Sequence, residues 1–216
     1  MKTIALFGGT FDPIHQGHVQ SAIELKQQLS LDELRLVPCH LPPHRVTPGC
    51  TSQQRLAMVK LAIANTGLMV DDCELRRNQL SYSIDTLASL RSQLGQQVSL
   101  SWVMGTDAFA GFDRWHRWQD FLALGHLVVI KRPGEKLPEA GAVAELIMQY
   151  QADRADVLHQ QAAGSIVFVS LTPYPVSATD IRATLSGQQN SAKLKDSMAT
   201  AVLDYIQTHR LYGYQA

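Results

Sequence analysis

The sequence has no apolar run on the scale of a bilayer. A membrane-spanning helix needs about 20 consecutive apolar residues, and no stretch of the 216-residue chain approaches that. The first apolar run, Ile4-Ala5-Leu6-Phe7, stops at Gly8-Gly9. That is too short for the core of a secretory signal, which takes roughly seven or more apolar residues and then a cleavage site. Cysteine is scarce and odd in number: Cys39, Cys50 and Cys73 make no disulfide framework. A reducing, cytoplasmic setting is the expectation. A surplus of one charge is also missing, since 19 Lys and Arg balance 19 Asp and Glu. That argues against a protein that grips nucleic acid by neutralising its backbone. It leaves room for a small phosphate ligand, which needs only a local cluster. Internal repeats and low-complexity tracts are absent. So are the G-x-G-x-x-G dinucleotide fingerprint and a Gly-Lys-Ser/Thr phosphate loop.

What is present is ample material for a core, with 45% hydrophobic and 18% charged residues. Short apolar or β-branched runs alternate with longer helical patterns. Strands are expected at Thr3–Phe7, Leu34–Pro38, Leu68–Asp72, Val98–Met104, His126–Lys131 and Ser165–Ser170. Helices are expected at Val19–Leu29, after an N-cap at Ser52 (with Leu56, Val59, Leu61 and Ile63 marking its pattern), and at Ser83–Leu94, Trp115–Leu124, Val143–Tyr150, Ala178–Leu185 and Ser191–Thr208. This alternation predicts an α/β fold: a Rossmann-like, doubly wound, mainly parallel sheet with a small C-terminal helical region. The loop-like stretches, Pro38–Pro48 and 133–141, are too short for interdomain linkers. A single domain over 1–216 is therefore expected. Ligands of such sheets bind beyond the carboxyl ends of the strands, and two strands end there on glycine, at Gly8 and at Gly105.

The densest signal is Gly8-Gly9-Thr10-Phe11-Asp12-Pro13-Ile14-His15-Gln16-Gly17-His18. A strand runs into paired glycines, read as a tight turn needing positive φ, and then into a helix mouth carrying two histidines. Structural histidines and a His-x-x-His metal pair are the competing readings, but no third metal ligand is evident. Bare backbone N–H groups, a helix N-terminus and two imidazoles suit phosphate. Gly17 is expected to let a ligand approach the backbone. A second block, Val176-Ser177-Ala178-Thr179-Asp180-Ile181-Arg182, places an N-cap at Ser177 and a guanidinium one turn further in.

Together these blocks resemble the nucleotidyltransferase superfamily with the H-x-G-H motif, and within it bacterial nicotinate-nucleotide adenylyltransferase. The second block resembles the family's I-S-x-T-x-I-R element, with Val176 in place of the usual Ile. The resemblance implies an enzyme joining ATP to nicotinate mononucleotide, with release of pyrophosphate, in NAD biosynthesis. It implies His15, His18 and Arg182 as catalytic residues. Gly8, Gly9, Thr10 and Phe11, with Ser177 and Thr179, would contact ATP at the phosphate end. Arg45, on the proline-stiffened loop Pro42-Pro43-His44-Arg45, would face the triphosphate. Gly105 and Asp107 of Gly105-Thr106-Asp107 would border the adenosine, as would Arg132 of Arg132-Pro133-Gly134. Thr10, Arg45, Tyr82, Ser83, Ile84, Thr86, Trp115 and His116 would line the acceptor side, the Trp115 indole stacking on the pyridine ring.

Mg²⁺ is expected as a cofactor riding on the ATP phosphates, with no protein metal site. A zinc site at Cys39, His40, His44 and Cys50 matches no standard spacing. Expected partners are ATP and a pyridine mononucleotide, with no nucleic acid and no membrane; the sequence leaves the oligomeric state open. The alternatives are another acceptor (nicotinamide mononucleotide or phosphopantetheine) or a non-catalytic nucleotide sensor. Phosphopantetheine enzymes are typically shorter, and a sensor would need a damaged histidine motif or a fused DNA-binding segment. Neither is visible here.

Overall fold

The computed structural model describes residues 1–42, 49–77, 79–132, 134–187 and 194–214. The strands are β1 (Lys2–Gly9), β2 (Glu33–Pro38), β3 (Met69–Val70), β4 (Val98–Gly105), β5 (His126–Lys131) and β6 (Ile166–Ser170). The helices are α1 (Gln16–Gln28), α2 (Ser52–Ile63), α3 (Cys73–Arg77), α4 (Ser83–Leu94), α5 (Thr106–Phe109), α6 (Phe121–Leu124), α7 (Ala142–Tyr150), α8 (Val157–Gln160), α9 (Ala178–Leu185), α10 (Leu194–Ser197) and α11 (Thr200–Thr208). The sheet is parallel, in the order β3-β2-β1-β4-β5-β6. This is the Rossmann-like class that the alternation of strands and helices implies.

Strand order reverses between β1 and β4, which pair from Lys2↔Val98 to Phe7↔Val103. Their carboxyl ends therefore flank the topological switch point, the usual ligand position of such sheets. β4 and β5 are apolar along most of their length because helices cover both faces. Leu100, Val103, Leu127, Val128 and Val129 are almost wholly buried.

Two compact units interleave along the chain. One comprises Met1–Gly8, Leu25–Arg35 and Tyr82–Pro173; the other comprises Gly9–Glu24, Leu36–Ser81 and Tyr174–Ala216. The first is built on β4, β5 and β6 and an aromatic cluster in which Phe112 meets Phe109, Trp115, Trp118 and Phe121. Within it, buried Arg91 donates to the carbonyls of Gly95, Val98, Leu124 and Ala162, satisfying loop ends that would otherwise be stranded from water. In the second, α2 packs on α11, burying Met58, Val59, Val202 and Ile206.

Three expected elements differ. The N-cap of α2 is Thr51, not Ser52. Its side chain accepts from the Gln54 N–H while the Gln54 side chain returns to the Thr51 N–H, a capping box that Ser52 followed by Arg55 could not make. The stretch Trp115–Leu124 is not one helix. Arg117 adopts φ 50°, and the chain makes a 3-10 turn at Trp118–Asp120 before α6. The C-terminal helix is interrupted: α10 ends at Ser197, and Ala199 is extended ahead of α11. The beginning of that expected helix, 191–193, lies outside the described residues.

Candidate active site

β1 carries Gly8 and Gly9 in extended conformation, and neither has positive φ. Close packing explains these glycines, not a turn. A Cβ on Gly8 would stand 2.5 Å from Cζ2 of Trp102, and one on Gly9 would stand 2.8 Å from the Phe11 ring. The left-handed residue is Phe11 itself, at φ 50° and buried. The turn is braced by Arg55 of α2, which is 1% exposed. Its Nη1 donates to the Thr10 carbonyl at 2.5 Å and its Nη2 to the His40 carbonyl at 3.2 Å.

His15 stands immediately before α1, and its carbonyl accepts the N–H groups of His18 and Val19. The two imidazoles stack, with centroids 3.7 Å apart and planes 27° from parallel. The His15 N–H donates to His18 Nδ1 at 3.3 Å. A neutral His18 that accepts there carries its proton on Nε2. The Phe11 ring meets His18 edge-on at 5.1 Å. Gly17 serves the protein itself: a Cβ there would lie 3.0 Å from the His15 ring, so this glycine makes room for the imidazole. Burial lowers the His15 pKa to about 4, which leaves it neutral at pH 7. Its Nδ1 is buried and has no hydrogen-bond partner, so one polar atom at the mouth of α1 is still to be satisfied.

The second block closes onto the first. Ser177 is the N-cap of α9, its Oγ accepting the Asp180 N–H at 3.1 Å. Arg182 donates from Nη1 to the Asp12 carbonyl at 2.7 Å and from Nη2 to Thr179 Oγ1 at 3.4 Å. The guanidinium is thus tied to the backbone three residues before His15. His15, His18, Arg182, Thr10, Phe11, Ser177 and Thr179 all belong to the second unit. Arg45 and His44 lie outside the described residues. Of the remaining candidate zinc ligands, His40 Nδ1 meets Ser52 Oγ at 2.9 Å and Cys50 Sγ meets the Tyr212 hydroxyl at 3.0 Å.

The first unit carries Gly105, Asp107 and Arg132, expected at the adenosine, and the expected acceptor residues other than Thr10 and Arg45. Gly105 ends β4 and is the N-cap position of α5. Asp107 stands in that helix's first turn, not at its cap, and pairs with Arg132 at 3.5 Å. Both side chains are exposed, and a Cβ on Gly105 would run into them. The Thr106 hydroxyl beneath accepts the Arg132 N–H and donates to Glu135.

On the acceptor side, α4 begins at Ser83. Tyr82 occupies its cap position without a side-chain cap bond. The Tyr82 and His116 rings lie 4.4 Å apart, tilted by 37°. Ile84 and Thr86 are fully buried, backbone included, so neither is open to a ligand in this conformation. Trp115 leans on Phe112 and Phe121, at 5.6 and 6.0 Å.

The cytidylyltransferase-like family model matches residues 6–184. A protein of Cellvibrio japonicus named "Probable nicotinate-nucleotide adenylyltransferase" is 49% identical over 97% of this chain and 98% of its own. An Aeromonas salmonicida protein of the same name is 44% identical over 97% and 96%. Among solved structures, Plasmodium falciparum nicotinic acid mononucleotide adenylyltransferase complexed with NaAD superposes with TM-score 0.76 at 16% identity, covering 100% of this chain and 99% of that one, a likeness of fold.

The chain belongs to the nicotinate-nucleotide adenylyltransferase family.

The adenylyltransferase motifs explain the histidines and Arg182, but several residues that brace the turns and side chains of the candidate site carry little or no signal in the sequence. Arg55 had a signal: it shares a helical face with buried Met58, Val59 and Ala62, an unusual place for a cation unless it is hydrogen-bonded. Asp12, Thr106, Glu135 and Tyr212 had none, because their partners are distant in sequence or their types are common at loop ends.

Proposed function

We propose that the chain transfers the adenylyl group of ATP to the 5′-phosphate of nicotinate mononucleotide, yielding nicotinate adenine dinucleotide and pyrophosphate. The observation that carries this reading is the stacked His15–His18 pair with Arg182 anchored on the Asp12 carbonyl, in a chain whose family makes this bond. The acceptor phosphate is already an anion, so no side chain has to generate the nucleophile. The task is to align two anions and to stabilise charge growing on the α-phosphoryl and the leaving pyrophosphate. His18 Nε2–H and the dipole end of α1 face that charge. His15 contributes as a neutral imidazole whose burial keeps it from ionising. Arg182 and Arg45 hold the β,γ end, and Gly9, Thr10, Phe11, Ser177 and Thr179 frame the phosphates. Gly8, Gly105, Asp107 and Arg132 serve the adenosine, the Asp107 carboxylate taking ribose hydroxyls.

Among the described residues no group of three or more His, Cys, Asp or Glu side chains is gathered for a metal. Mg²⁺ would be carried by the ATP phosphates and its own waters, where it offsets phosphate charge. None of the three cysteines is in a disulfide, and among the described residues no helix is long and apolar enough to cross a membrane. We place the reaction in the cytoplasm.

The acceptor is assigned to Tyr82, Ser83, Ile84, Thr86, Trp115 and His116, with Thr10 and Arg45. The acid is favoured over the amide because α4 starts without a capping side chain, so its positive dipole end suits a carboxylate. The test is pyrophosphate release from ATP with nicotinate mononucleotide, nicotinamide mononucleotide and phosphopantetheine in turn. The acid should give the highest kcat/KM, by tenfold or more. Equal rates with the amide would remove the carboxylate assignment, and the lack of release with any of the three would favour a nucleotide sensor.

A further inference from the structure

The family model ends at residue 184, yet the tail beyond it returns to the first motif. The Tyr212 hydroxyl donates to Asp12 Oδ1 at 2.8 Å, across 200 residues. The same carboxylate accepts the Gly49 N–H at 3.2 Å and Cys50 Sγ at 3.5 Å. On the other side of the residue, the Asp12 carbonyl holds Arg182. Asp12 is thus fixed through its side chain by the tail and the 49–50 segment, and through its backbone it fixes the phosphate-end guanidinium. Its preceding neighbour is left-handed Phe11, whose ring meets His18.

Tyr212 is itself held in an uncommon state. Its φ is 57°, a region bulky side chains rarely adopt and keep only where the surroundings over-determine it. Its ring lies against Gly49, where a Cβ would come within 3.1 Å of Cδ1, and neighbouring Leu211 is buried. Burial pushes the Tyr212 phenol up, and the Cys50 thiol up to about 11. At pH 7 both remain protonated: Tyr212 O–H donates to the Asp12 carboxylate, and the one Cys50 S–H is shared between that carboxylate and the Tyr212 oxygen.

We infer that Tyr212 is a positioning residue for ATP, acting through Asp12 to hold Arg182 and the Phe11–His18 turn in the geometry that receives the triphosphate. The inference rests on the functional reading above, but its test does not need turnover. Calorimetric titration of ATP with Mg²⁺, and separately of nicotinate mononucleotide, compares wild type with Tyr212→Phe and Asp12→Asn. Tyr212→Phe keeps the ring on Gly49 and deletes one O–H. It should weaken ATP about five- to twentyfold and leave the mononucleotide within twofold. Asp12→Asn retains an acceptor for the hydroxyl and should stay within about threefold of wild type for ATP. A general loosening would weaken both ligands in parallel; that result, or an unchanged ATP affinity in Tyr212→Phe, overturns the proposal. Should Tyr212→Phe not fold, Asp12→Ala against Asp12→Asn decides the matter: loss of ATP affinity in the first alone supports the proposal, and equal affinities overturn it. A wild type that binds ATP but releases no pyrophosphate sinks the functional reading and leaves this comparison intact. A wild type that binds no ATP overturns both.

Discussion

The imidazole of His15 lies face to face with that of His18, 3.7 Å between centroids, while the His15 N–H holds His18 Nδ1. The first contact is compatible with a buried, neutral His15; the second occupies His18 Nδ1 as an acceptor. The two histidines therefore differ in role. One is buried and held neutral, and the other is, in the proposed reaction, a donor to the phosphates.

For His18→Ala the account expects kcat to fall by roughly 10²–10³, about 3–4 kcal/mol of transition-state stabilisation, with KM for ATP shifting less than threefold. Steady-state kinetics would show it. A raised KM at unchanged kcat would instead make His18 a ground-state contact.

His15 also carries a pH signature in stability. Its folded pKa of about 4 lies below the ordinary 6.5. Between those values the unfolded chain holds a proton that the folded chain lacks, so stability falls as pH drops from about 6.5 towards 4. Burial lowers the pKa of His126 as well, and it adds a loss of the same sign. The His15 share is at most about 3 kcal/mol. Urea melts at pH 7.5 and 4.5 should show a smaller drop for His15→Asn than for wild type; equal drops would mean that His15 is not the buried neutral group described.

On the acceptor side, exposed His116 and half-buried Trp115 separate binding from packing. His116→Ala should raise KM for the pyridine mononucleotide several-fold, leave KM for ATP unchanged, and alter the unfolding free energy by less than about 0.5 kcal/mol. Trp115→Ala should weaken the mononucleotide far more than ATP and also cost roughly 2 kcal/mol of stability, because its ring leans on Phe112 and Phe121. Equal losses for both substrates would place Trp115 outside the acceptor pocket.

Gly8→Ala tests the packing reason for the first glycine. The added methyl would meet a Trp102 ring that is 3% exposed and cannot swing away. A destabilisation of about 1–3 kcal/mol is expected from overpacking, measured by chemical unfolding. A neutral result would return Gly8 to a purely ligand-facing role.

Legibility of the fold followed the strength of local signals. α4 and α9 and the strand β5 begin and end where periodicity and their flanking residues place them, at Ser83–Leu94, Ala178–Leu185 and His126–Lys131. One-turn helices such as Cys73–Arg77 and Val157–Gln160 are too short to show a period. The break at Arg117 needs a non-glycine residue at positive φ, and its sequence gives no warning of this. At the site, the histidines and Arg182 were visible because their types and spacing are unusual. Gly8 and Gly9 do not make the positive-φ turn their pairing suggests: each makes room for an aromatic ring, as Gly17 does for an imidazole, and a sequence does not say which ring will lie above a glycine. Asp12 and Tyr212 were invisible for a simpler reason, since a carboxylate and a phenol 200 residues apart carry no mark of their pairing.

The central claim is that His18, Arg182 and the mouth of α1 receive the triphosphate of ATP. A crystal structure with a non-hydrolysable ATP analogue tests it most directly. The account predicts phosphate oxygens within hydrogen-bond distance of His18 Nε2 and the Arg182 guanidinium. An ordered analogue whose phosphates touch neither would contradict it.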